Sequence, residues 1–449
     1  MQQGIGKEGM QHVAVLGAAG KMGSGIALLV LQQFAFELAS GVKGEQGRRY
    51  RLMLIDANEA GFVMLKRYLR DQLKKHAERS INELRILYKN RINLIDNADM
   101  INTYVEEAFD CVFFGTMLEE CRGAQLVFEA IIEDVDIKTE VFAKLNKLLG
   151  PDCYYFSNTS SIPIHVLQEK SHLQGRLIGF HFYNPPAIQR LLELIVPENT
   201  SESLKSLAEN IAKQLKKTVV YSSDIAGFIG NGHFIREVHF ACEQVHVLSQ
   251  RMPLIEAIVL VNRITQEFLL RPMGIFQLID YVGIEVGQRI AKIMSTYLQK
   301  PFGDKLIDAM VEEKVWGGQF GDGSQKDGFF HYEKGVPAGV YDSKEKKYIS
   351  CSEAAFRARI DAWLGGKPPL GYSWNMLIKD PQRAEKVVDY LALLSQEETQ
   401  GARLAKKFVE ESKKIALELV SDGIAHSIKD VDTVLMNGFL HLGQIGMEQ

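Results

Sequence analysis

Short apolar runs alternate with amphipathic stretches through the first half of the chain. Five short apolar runs predict strands: HVAVLG (12–17), RLMLID (51–56), AQLVFEAI (124–131), CYYFSN (153–158) and LIGFHFYN (177–184). Stretches with helical periodicity lie between them, at 18–38, 60–84 and 137–149. Strands that alternate with helices predict a parallel, doubly wound sheet.

The pattern changes after about residue 224, where long helical stretches dominate and strand signals become sparse. A glycine-rich stretch at 316–339 predicts a loop between two helical halves. A faint similarity between 232–280 and 396–446 indicates a duplicated helical unit. We therefore expect an α/β domain followed by an all-α region, with an α/β domain over 1–222, a helical domain over 223–340 and a second helical unit over 341–449.

Composition and charge narrow the class of protein. The 449 residues exceed what one hydrophobic core holds, and 46% hydrophobic with 24% charged residues is typical of a globular protein. No uninterrupted apolar run reaches the length of a membrane span, and the N-terminus lacks a signal-peptide pattern, so we expect a cytoplasmic protein without a membrane partner. A net charge of -4 gives no field for holding nucleic acid. The five cysteines form no C-x-x-C pair, which predicts neither a disulfide framework nor a metal site.

A glycine-rich turn follows the first predicted strand and opens the first predicted helix. Its glycines are Gly17, Gly20 and Gly23, one residue more widely spaced than in the commonest G-x-G-x-x-G pattern, with Lys21 and Met22 between the last two. In a strand-turn-helix context such glycines permit a tight turn and close approach of a pyrophosphate to the helix N-terminus. This predicts a Rossmann-like dinucleotide site, although a plain strand-to-helix turn would use the same residues.

Asp56 ends the second predicted strand, where an acid accepts hydrogen bonds from the adenosine ribose and disfavours a 2′-phosphate. The cofactor expected from these features is NAD rather than NADP. The gap between the turn and this acid is longer than usual because residues 31–50 contain extra chain. An acid that only caps a surface turn is the alternative interpretation.

The segment HFYNPPAIQRLLE carries a histidine, His181, and a glutamate twelve positions later, Glu193. An imidazole can take a proton from a hydroxyl group, and a carboxylate can orient it and stabilise the imidazolium. The segment RLLELIVP (190–197) is strand-like and could fold back beside HFYN, which would bring the two side chains together. A lone histidine is more often structural, whereas a carboxylate flanked by leucines is costly to bury unpaired.

Six features follow one another along the chain: the glycine turn, Asp56, FEAIIEDVDIK, SNTSS (157–161), HFYNP and Glu193. With these features in this order, the chain resembles the 3-hydroxyacyl-CoA dehydrogenase family over about residues 11–335. The resemblance implies that His181 is the catalytic base, that Glu193 orients it and that Ser160 hydrogen-bonds the substrate 3-oxygen. It further implies that Asn231, in GFIGN, helps to hold that site. Other implied contacts are with the nicotinamide half of NAD (Glu133, Lys138, Asn184) and with coenzyme A (Gln72, Arg79).

The helical half contains RPMGIFQLIDYVG (271–283), which resembles a helix start of the same family. The resemblance implies a homodimer and an acyl-CoA thioester as substrate. Three positions depart from the family pattern: Ala226 stands where the family has proline, Gly232 stands where it has arginine, and Ser324 begins SQKDGFF, where the family lysine is absent or displaced to Lys326.

Three functions remain open from the sequence. The first is NAD-dependent oxidation of (S)-3-hydroxyacyl-CoA, or the reverse reduction, as in fatty-acid β-oxidation. The second is oxidation of a hydroxy acid or sugar acid that carries no CoA, by the same two residues. The third is a catalytically idle NAD-binding structural protein, which the departures at Gly232 and Ser324 would allow.

Overall fold

The computed structural model describes residues 11–41, 50–320 and 323–442. The chain divides into two compact units, Met1–Asp224 and Ile225–Gln449. The division falls at residue 224, close to the predicted boundary at 222. The second predicted boundary, between 340 and 341, falls inside a strand of the second unit.

The first unit is built on an eight-stranded sheet of order β3-β2-β1-β4-β5-β6-β7-β8. Strands β1 to β6 run parallel, β7 is antiparallel to β6, and β8 is parallel to β7. The strands are β1 His12–Leu16, β2 Arg51–Ile55, β3 Val112–Gly115, β4 Leu126–Glu129, β5 Tyr154–Ser157, β6 Leu177–Phe182, β7 Leu191–Ile195 and β8 Thr218–Ser222.

Within the described residues, seven helices join these strands. They are α1 Lys21–Ala39, α2 Gly61–Arg79, α3 Ile81–Leu87, α4 Asn97–Phe109, α5 Val135–Leu149, α6 Ile164–Ser171 and α7 Glu202–Gln214, with a 3₁₀ turn at Leu118–Cys121. The central strands are continuously buried, as expected for a parallel sheet covered on both faces. The predicted doubly wound, Rossmann-like fold is confirmed.

Helix α1 is long and apolar enough to cross a membrane by length and composition, and it is the one such helix among the described residues. Most of its apolar side chains from Ile26 to Ala39 belong to the main hydrophobic cluster of the first unit, whereas Phe36 is exposed. Burial in this cluster accounts for its composition. Residues 31–39 of the predicted insertion belong to this helix, and residues 42–49 lie outside the described ranges.

Several details of the first unit differ from the sequence-based expectation, and β8, α4, α6 and α7 are elements that it did not include. The helix predicted over 60–84 is interrupted at Ser80, where α2 ends and α3 begins. Strand β3 was not predicted, although its sequence VFFG is apolar; it has only four residues and forms a sheet edge that is only partly buried.

The second unit is mainly helical. Its elements are α8 Gly230–Ser249, α9 Leu254–Arg263, α10 Ile275–Val282, α11 Ile284–Leu298, α12 Lys305–Glu312, β9 Phe330–Glu333, β10 Val336–Asp342, β11 Lys347–Ser350, α13 Ala354–Leu364, α14 Trp374–Leu377, α15 Arg383–Gln396, α16 Gln400–Ser421 and α17 Ile428–Gly438. A π-helical turn follows α9 at Ile264–Phe268, and a 3₁₀ turn occupies Pro369–Gly371.

The predicted helical character of this region is confirmed, but it is not all-α. Part of the stretch predicted as a loop folds into a three-stranded antiparallel sheet of order β11-β10-β9. The predicted division at 340/341 falls within β10, whose Val340 lies in one hydrophobic cluster with Phe276 and Phe408. Residues on both sides of that position therefore share a core.

Helices α8 and α16, which begin the two similar stretches, pack against each other. His233 of α8 and Ser412 of α16 are both buried, with Nε2 and Oγ 2.9 Å apart. Burial lowers the pKa of His233 to about 4, so the ring is neutral at physiological pH. The duplication itself stays a prediction.

Candidate active site

His181 and Glu193 are direct partners in the antiparallel pairing of β6 and β7. Directly opposed residues project from the same face of a sheet, and Nδ1 of His181 lies 2.8 Å from Oε2 of Glu193. The His181 side chain is 10% exposed and the Glu193 side chain is fully buried. The prediction that RLLELIVP folds back beside HFYN is confirmed. The pairing brings the Glu193 carboxylate into hydrogen-bonding distance of Nδ1 of the His181 imidazole.

Tyr183 supplies a second hydrogen bond to this carboxylate. Its hydroxyl donates to the same Oε2 atom at 2.9 Å. Burial and the negative charge of Glu193 raise the pKa of Tyr183 well above its usual value, so the phenol stays protonated and remains a donor. The sequence analysis missed Tyr183, although its place two positions after His181 on the same strand face was a usable signal.

The SNTSS segment leaves the carboxyl end of β5, the edge at which doubly wound sheets bind ligands. The side-chain oxygen of Asn158 accepts a hydrogen bond from the backbone of Phe182 at 2.9 Å, which ties this segment to the residue after His181. SNTSS and HFYN are therefore neighbours, as their order along the sheet predicts. Ser160 is brought to the same edge.

Glu133 organises the serines of this segment. Its Oε1 atom accepts hydrogen bonds from the Ser160 amide at 2.9 Å, from the Thr159 hydroxyl at 2.6 Å and from the Ser161 hydroxyl at 2.9 Å. Burial opposes its ionisation, but the nearby Lys138 ammonium and these hydrogen bonds outweigh it and lower the pKa of Glu133. Glu133 is thus an anchor of the predicted substrate-oxygen site.

Lys138 is fully enclosed behind that anchor. Its ammonium lies 2.5 Å from Glu129 Oε1 and 3.3 Å from Glu133 Oε2. Burial would lower the pKa of Lys138, but the two carboxylates raise it. Glu129, which the sequence analysis missed, is also fully buried and accepts a hydrogen bond from Ser157 at 2.5 Å. Lys138 was predicted to line the nicotinamide; its described contacts are those of a buried ion pair that holds Glu133.

The glycine turn has the geometry that a dinucleotide requires. Gly17 has a φ of +71°, and a Cβ added there would lie 2.5 Å from the Ala130 carbonyl oxygen. A Cβ on Gly23 would lie 2.0 Å from the Gly17 carbonyl oxygen, so neither position accepts a side chain. Helix α1 begins directly after Gly20, and its first-turn amides, including those of Lys21 and Met22, form the positive end of a 19-residue helix.

Asp56 follows β2 and connects the turn to the sheet. Its Oδ2 accepts from the Ala19 amide and its Oδ1 from the Asn58 amide, both at 2.9 Å. The carboxylate therefore fixes the second residue after Gly17, and each of its oxygens keeps a further lone pair that can accept from a ribose hydroxyl. The residues present fit a bound NAD at this edge.

The predicted coenzyme A contacts lie on one helix. Gln72 and Arg79 occupy α2 two turns apart, and Arg79 is exposed in its last turn. Residues seven apart lie on nearly the same helix face. The buried stripe of α2, which includes Leu69 and Leu73, packs into the core and leaves the other face to solvent.

In the second unit, Asn231 is the second residue of α8 and is partly buried. At the departure next to it, a Cβ on Gly232 would lie 3.0 Å from Leu419 of α16, and the Gly232 carbonyl accepts from Arg236 at 2.7 Å. Where the family pattern has arginine, this chain therefore has a close contact between α8 and α16, and the guanidinium of Arg236 lies one turn later in α8.

The glycine-rich segment that contains Ser324 and Lys326 is fixed by a buried acid, Asp280. Its carboxylate accepts from the Phe329 and Phe330 amides at 2.7 and 3.0 Å and from the Tyr332 hydroxyl at 2.9 Å. Burial raises the pKa of Asp280 to about 8 against the effect of these donors. The Lys326 ammonium lies 5.3 Å from the centre of the Phe320 ring.

All five cysteines are free thiols. Among the described residues, no group of three or more His, Cys, Asp or Glu side chains could hold a metal ion.

Two family models match the chain. Residues 48–225 match the 3-hydroxyacyl-CoA dehydrogenase NAD binding domain, and residues 227–332 match the 3-hydroxyacyl-CoA dehydrogenase C-terminal domain. Among curated proteins, the 3-hydroxybutyryl-CoA dehydrogenase of Mycobacterium tuberculosis is 30% identical over 333 residues, which are 72% of this chain and 99% of that protein.

The glyoxysomal fatty acid beta-oxidation multifunctional protein MFP-a of Cucumis sativus is 26% identical over 80% of this chain, and the match spans only 43% of that longer protein. A solved structure of 3-hydroxybutyryl-CoA dehydrogenase from Escherichia coli covers 97% of this chain and 90% of its own, with 18% identity and a TM-score of 0.62. At that identity the likeness shows a shared fold, and it extends beyond residue 332.

Proposed function

Because the chain belongs to the 3-hydroxyacyl-CoA dehydrogenase family, we propose that it interconverts (S)-3-hydroxyacyl-CoA and 3-ketoacyl-CoA with NAD as its cofactor. The observation that carries the proposal is the His181–Glu193 pair, with Nδ1 and Oε2 2.8 Å apart at the sheet edge that also holds SNTSS and the glycine turn. The pair supplies a base, and the turn supplies a dinucleotide site.

His181 acts as the base through Nε2, because Nδ1 faces Glu193. In the oxidation it takes the proton of the 3-hydroxyl, and in the reduction it returns that proton to the 3-oxygen. Glu193 fixes the orientation of the ring and stabilises the imidazolium that forms. NAD, when bound, accepts the hydride from carbon 3.

Ser160 is proposed to hydrogen-bond the 3-oxygen of the substrate, and Asn231 is proposed to help hold that site, as the resemblance to the family implies. Support for Ser160 comes from the Glu133 anchor, which holds its backbone amide at 2.9 Å and so limits the movement of the serine. The ion pair of Lys138 with Glu129 holds that anchor in turn. Glu133 and Asn184 stay proposed contacts of the nicotinamide half of the cofactor.

An NADH-oxidation assay tests the proposal. Purified protein is supplied with acetoacetyl-CoA, with longer 3-ketoacyl-CoAs and with free 3-keto acids at equal concentrations. Turnover of the thioesters alone supports the proposed substrate class. Turnover of the free acids with equal efficiency would favour the non-CoA dehydrogenase. NADH binding without any turnover would favour the idle NAD-binding protein.

His181→Gln separates catalysis from binding in the same assay. Glutamine is uncharged and can still form hydrogen bonds, but its amide cannot take up a proton and so cannot act as the base. Thioester-dependent NADH oxidation should disappear while the Kd for NADH, measured by fluorescence, changes by less than about twofold, because the base does not hold the pyrophosphate. Unchanged turnover would overturn the mechanism.

The coenzyme A contact is tested on α2. Arg79→Ala should raise the KM for acetoacetyl-CoA, since it removes a cation from the helix face proposed to meet the phosphates. Arg67→Ala is the matched control, because Arg67 is an exposed arginine of the same helix that forms only a weak surface pair with Asp71. Equal effects of the two variants would contradict the proposed contact.

A further inference from the structure

The turn between β6 and β7 joins the two strands that carry His181 and Glu193. It begins after Phe182 and ends before Leu191, and it contains the cis peptide bond between Asn184 and Pro185. The amides of Ile188 and Gln189 both donate to the Pro185 carbonyl, at 3.0 and 2.9 Å, which forms a single helical turn. A single turn has no following residues whose amides could satisfy its last carbonyl groups.

Lys217 donates to two of these carbonyl groups. Its ammonium lies 2.5 Å from the Pro186 oxygen and 2.7 Å from the Gln189 oxygen. The ammonium also lies 5.4 Å from the centre of the ring of Phe182, the residue that follows His181 in the sequence. A cation that binds two carbonyl groups and faces an aromatic ring is a fixed clamp rather than a solvated surface lysine.

The position of Lys217 in the sheet makes this clamp relevant to the dyad. Thr218, the next residue, begins β8 opposite Leu191 of β7, and two positions later Val220 is the register partner of Glu193. The backbone that carries the clamp is therefore hydrogen-bonded to the strand that carries the carboxylate. On the opposite side, Pro186 packs on α1, since a Cβ on Gly25 would lie 2.7 Å from the Pro186 ring.

We propose that Lys217 is a positioning residue, which clamps the turn of 183–190 so that His181 and Glu193, and Asn184 beside them, stay fixed relative to the helix that begins at the glycine turn. This role rests on the proposed function, because it concerns the geometry of the same proton transfer.

The kcat values of two methionine variants test the role of Lys217. Lys217→Met keeps most of the side-chain volume and removes the ammonium, and Lys216→Met makes the same change at the exposed neighbour. We expect Lys217→Met to lower kcat for acetoacetyl-CoA reduction by roughly tenfold or more, because small displacements of reacting groups are costly in rate. The KM should change by less than about threefold, and Lys216→Met should match the wild type in both constants.

A conservative variant distinguishes positioning from bulk stability. Lys217→Arg keeps a cation with several N–H donors, so it should recover a large part of the kcat that Lys217→Met loses. In Lys217→Ala, added methylamine or ethylamine should raise kcat in a saturable way. If Lys217→Met keeps kcat within twofold, or if Lys217→Arg is as slow as Lys217→Met and alkylamines do not help, the role is overturned.

Hydrogen exchange gives a readout that needs no turnover. The amides of Ile188 and Gln189 should exchange faster in Lys217→Met than in the wild type and in Lys216→Met, since the clamp opposes opening of this turn. Unchanged exchange would overturn the clamp even if the wild type proved inactive on every thioester. If the wild type proved inactive but Lys217→Met still exchanged faster than the wild type, the clamp would be supported and the proposed function would be contradicted.

Discussion

His181 and Glu193 face each other across two antiparallel strands, with Nδ1 and Oε2 2.8 Å apart. Backbone hydrogen bonds of the sheet hold both residues, so the distance between the ring and the carboxylate depends on strand register rather than on a loop. A shift of one residue would turn one of the two side chains to the opposite face.

Glu193→Gln should reduce kcat by roughly 100-fold while the protein stays folded. The amide oxygen can still accept from His181 and Tyr183, but the negative charge that stabilises the imidazolium is gone. Steady-state rates with acetoacetyl-CoA and NADH measure the effect. Tyr183→Phe is the companion variant, and it should lower kcat by less than Glu193→Gln does, because the carboxylate keeps its charge. A Glu193→Gln enzyme with wild-type kcat would contradict the assigned role.

Lys138→Met should destabilise the first unit by roughly 3–5 kcal/mol at neutral pH, because it leaves Glu129 buried without a cation. The loss should be smaller near pH 4. Lys138 lowers the pKa of Glu133, so the stability that Glu133 contributes is present above its unfolded pKa and disappears as the pH falls through its folded pKa. Urea unfolding at pH 4 and pH 7.5 measures both values.

The control for this variant lies on the same helix. Lys144 pairs with Glu140 at 2.7 Å, but both side chains are more than half exposed. Lys144→Met should therefore leave the urea midpoint of unfolding nearly unchanged at either pH. Equal losses in the two variants would show that the buried pair contributes no more than a surface pair.

Asp280→Asn should change the pH dependence of stability in the second unit. The folded pKa of Asp280, about 8, lies above its unfolded value, so its stabilising contribution is full below about pH 4 and is lost as the pH rises through 8. Asparagine does not titrate. The stability of the wild type relative to Asp280→Asn should therefore fall between pH 5 and pH 8 in urea unfolding, and a constant difference would contradict the raised pKa.

Gly232→Arg restores the residue that the family has, yet it should destabilise this chain by roughly 1–3 kcal/mol. The new side chain would meet the buried Leu419 of α16 and the guanidinium of Arg236. Gly232→Ala is the matched control. Its Cβ needs only a small movement of Leu419, and alanine favours the helix, so its melting temperature should stay near that of the wild type. A Gly232→Arg variant with the stability of the wild type would show that α16 can move away from the new side chain with little loss of stability.

Much of the first unit could be predicted from the sequence because each element has a local signal. The runs that end at Gly17 and Asp56 fix the turn and its acid, and the turn residues Pro185 and Pro186 between two apolar runs predict the antiparallel return that brings Glu193 to His181. The roles of Ser160 and Asn231 stay predictions, since they concern contacts with a substrate.

The remaining features depend on contacts between distant segments. Nothing near Lys138 in the sequence shows that α5 packs it against Glu129 behind β4. Lys217 was missed because it stands beside another lysine, Lys216, in a stretch that looks like a solvated loop. The sheet at 330–350 was missed because its strands are short and half-exposed, and Asp280, which anchors the first of them, lies fifty residues away.

The packing of α16 on α8 limits how this chain can be shortened. A fragment that ends at residue 332 would retain both stretches that match the family models, yet it would expose the face of α8 that meets α16. His233 would lose Ser412 as its partner, and Phe240 would lose its ring contact with Phe408. Such a fragment should aggregate when expressed alone, and it should become soluble again when residues 333–442 are supplied as a separate polypeptide.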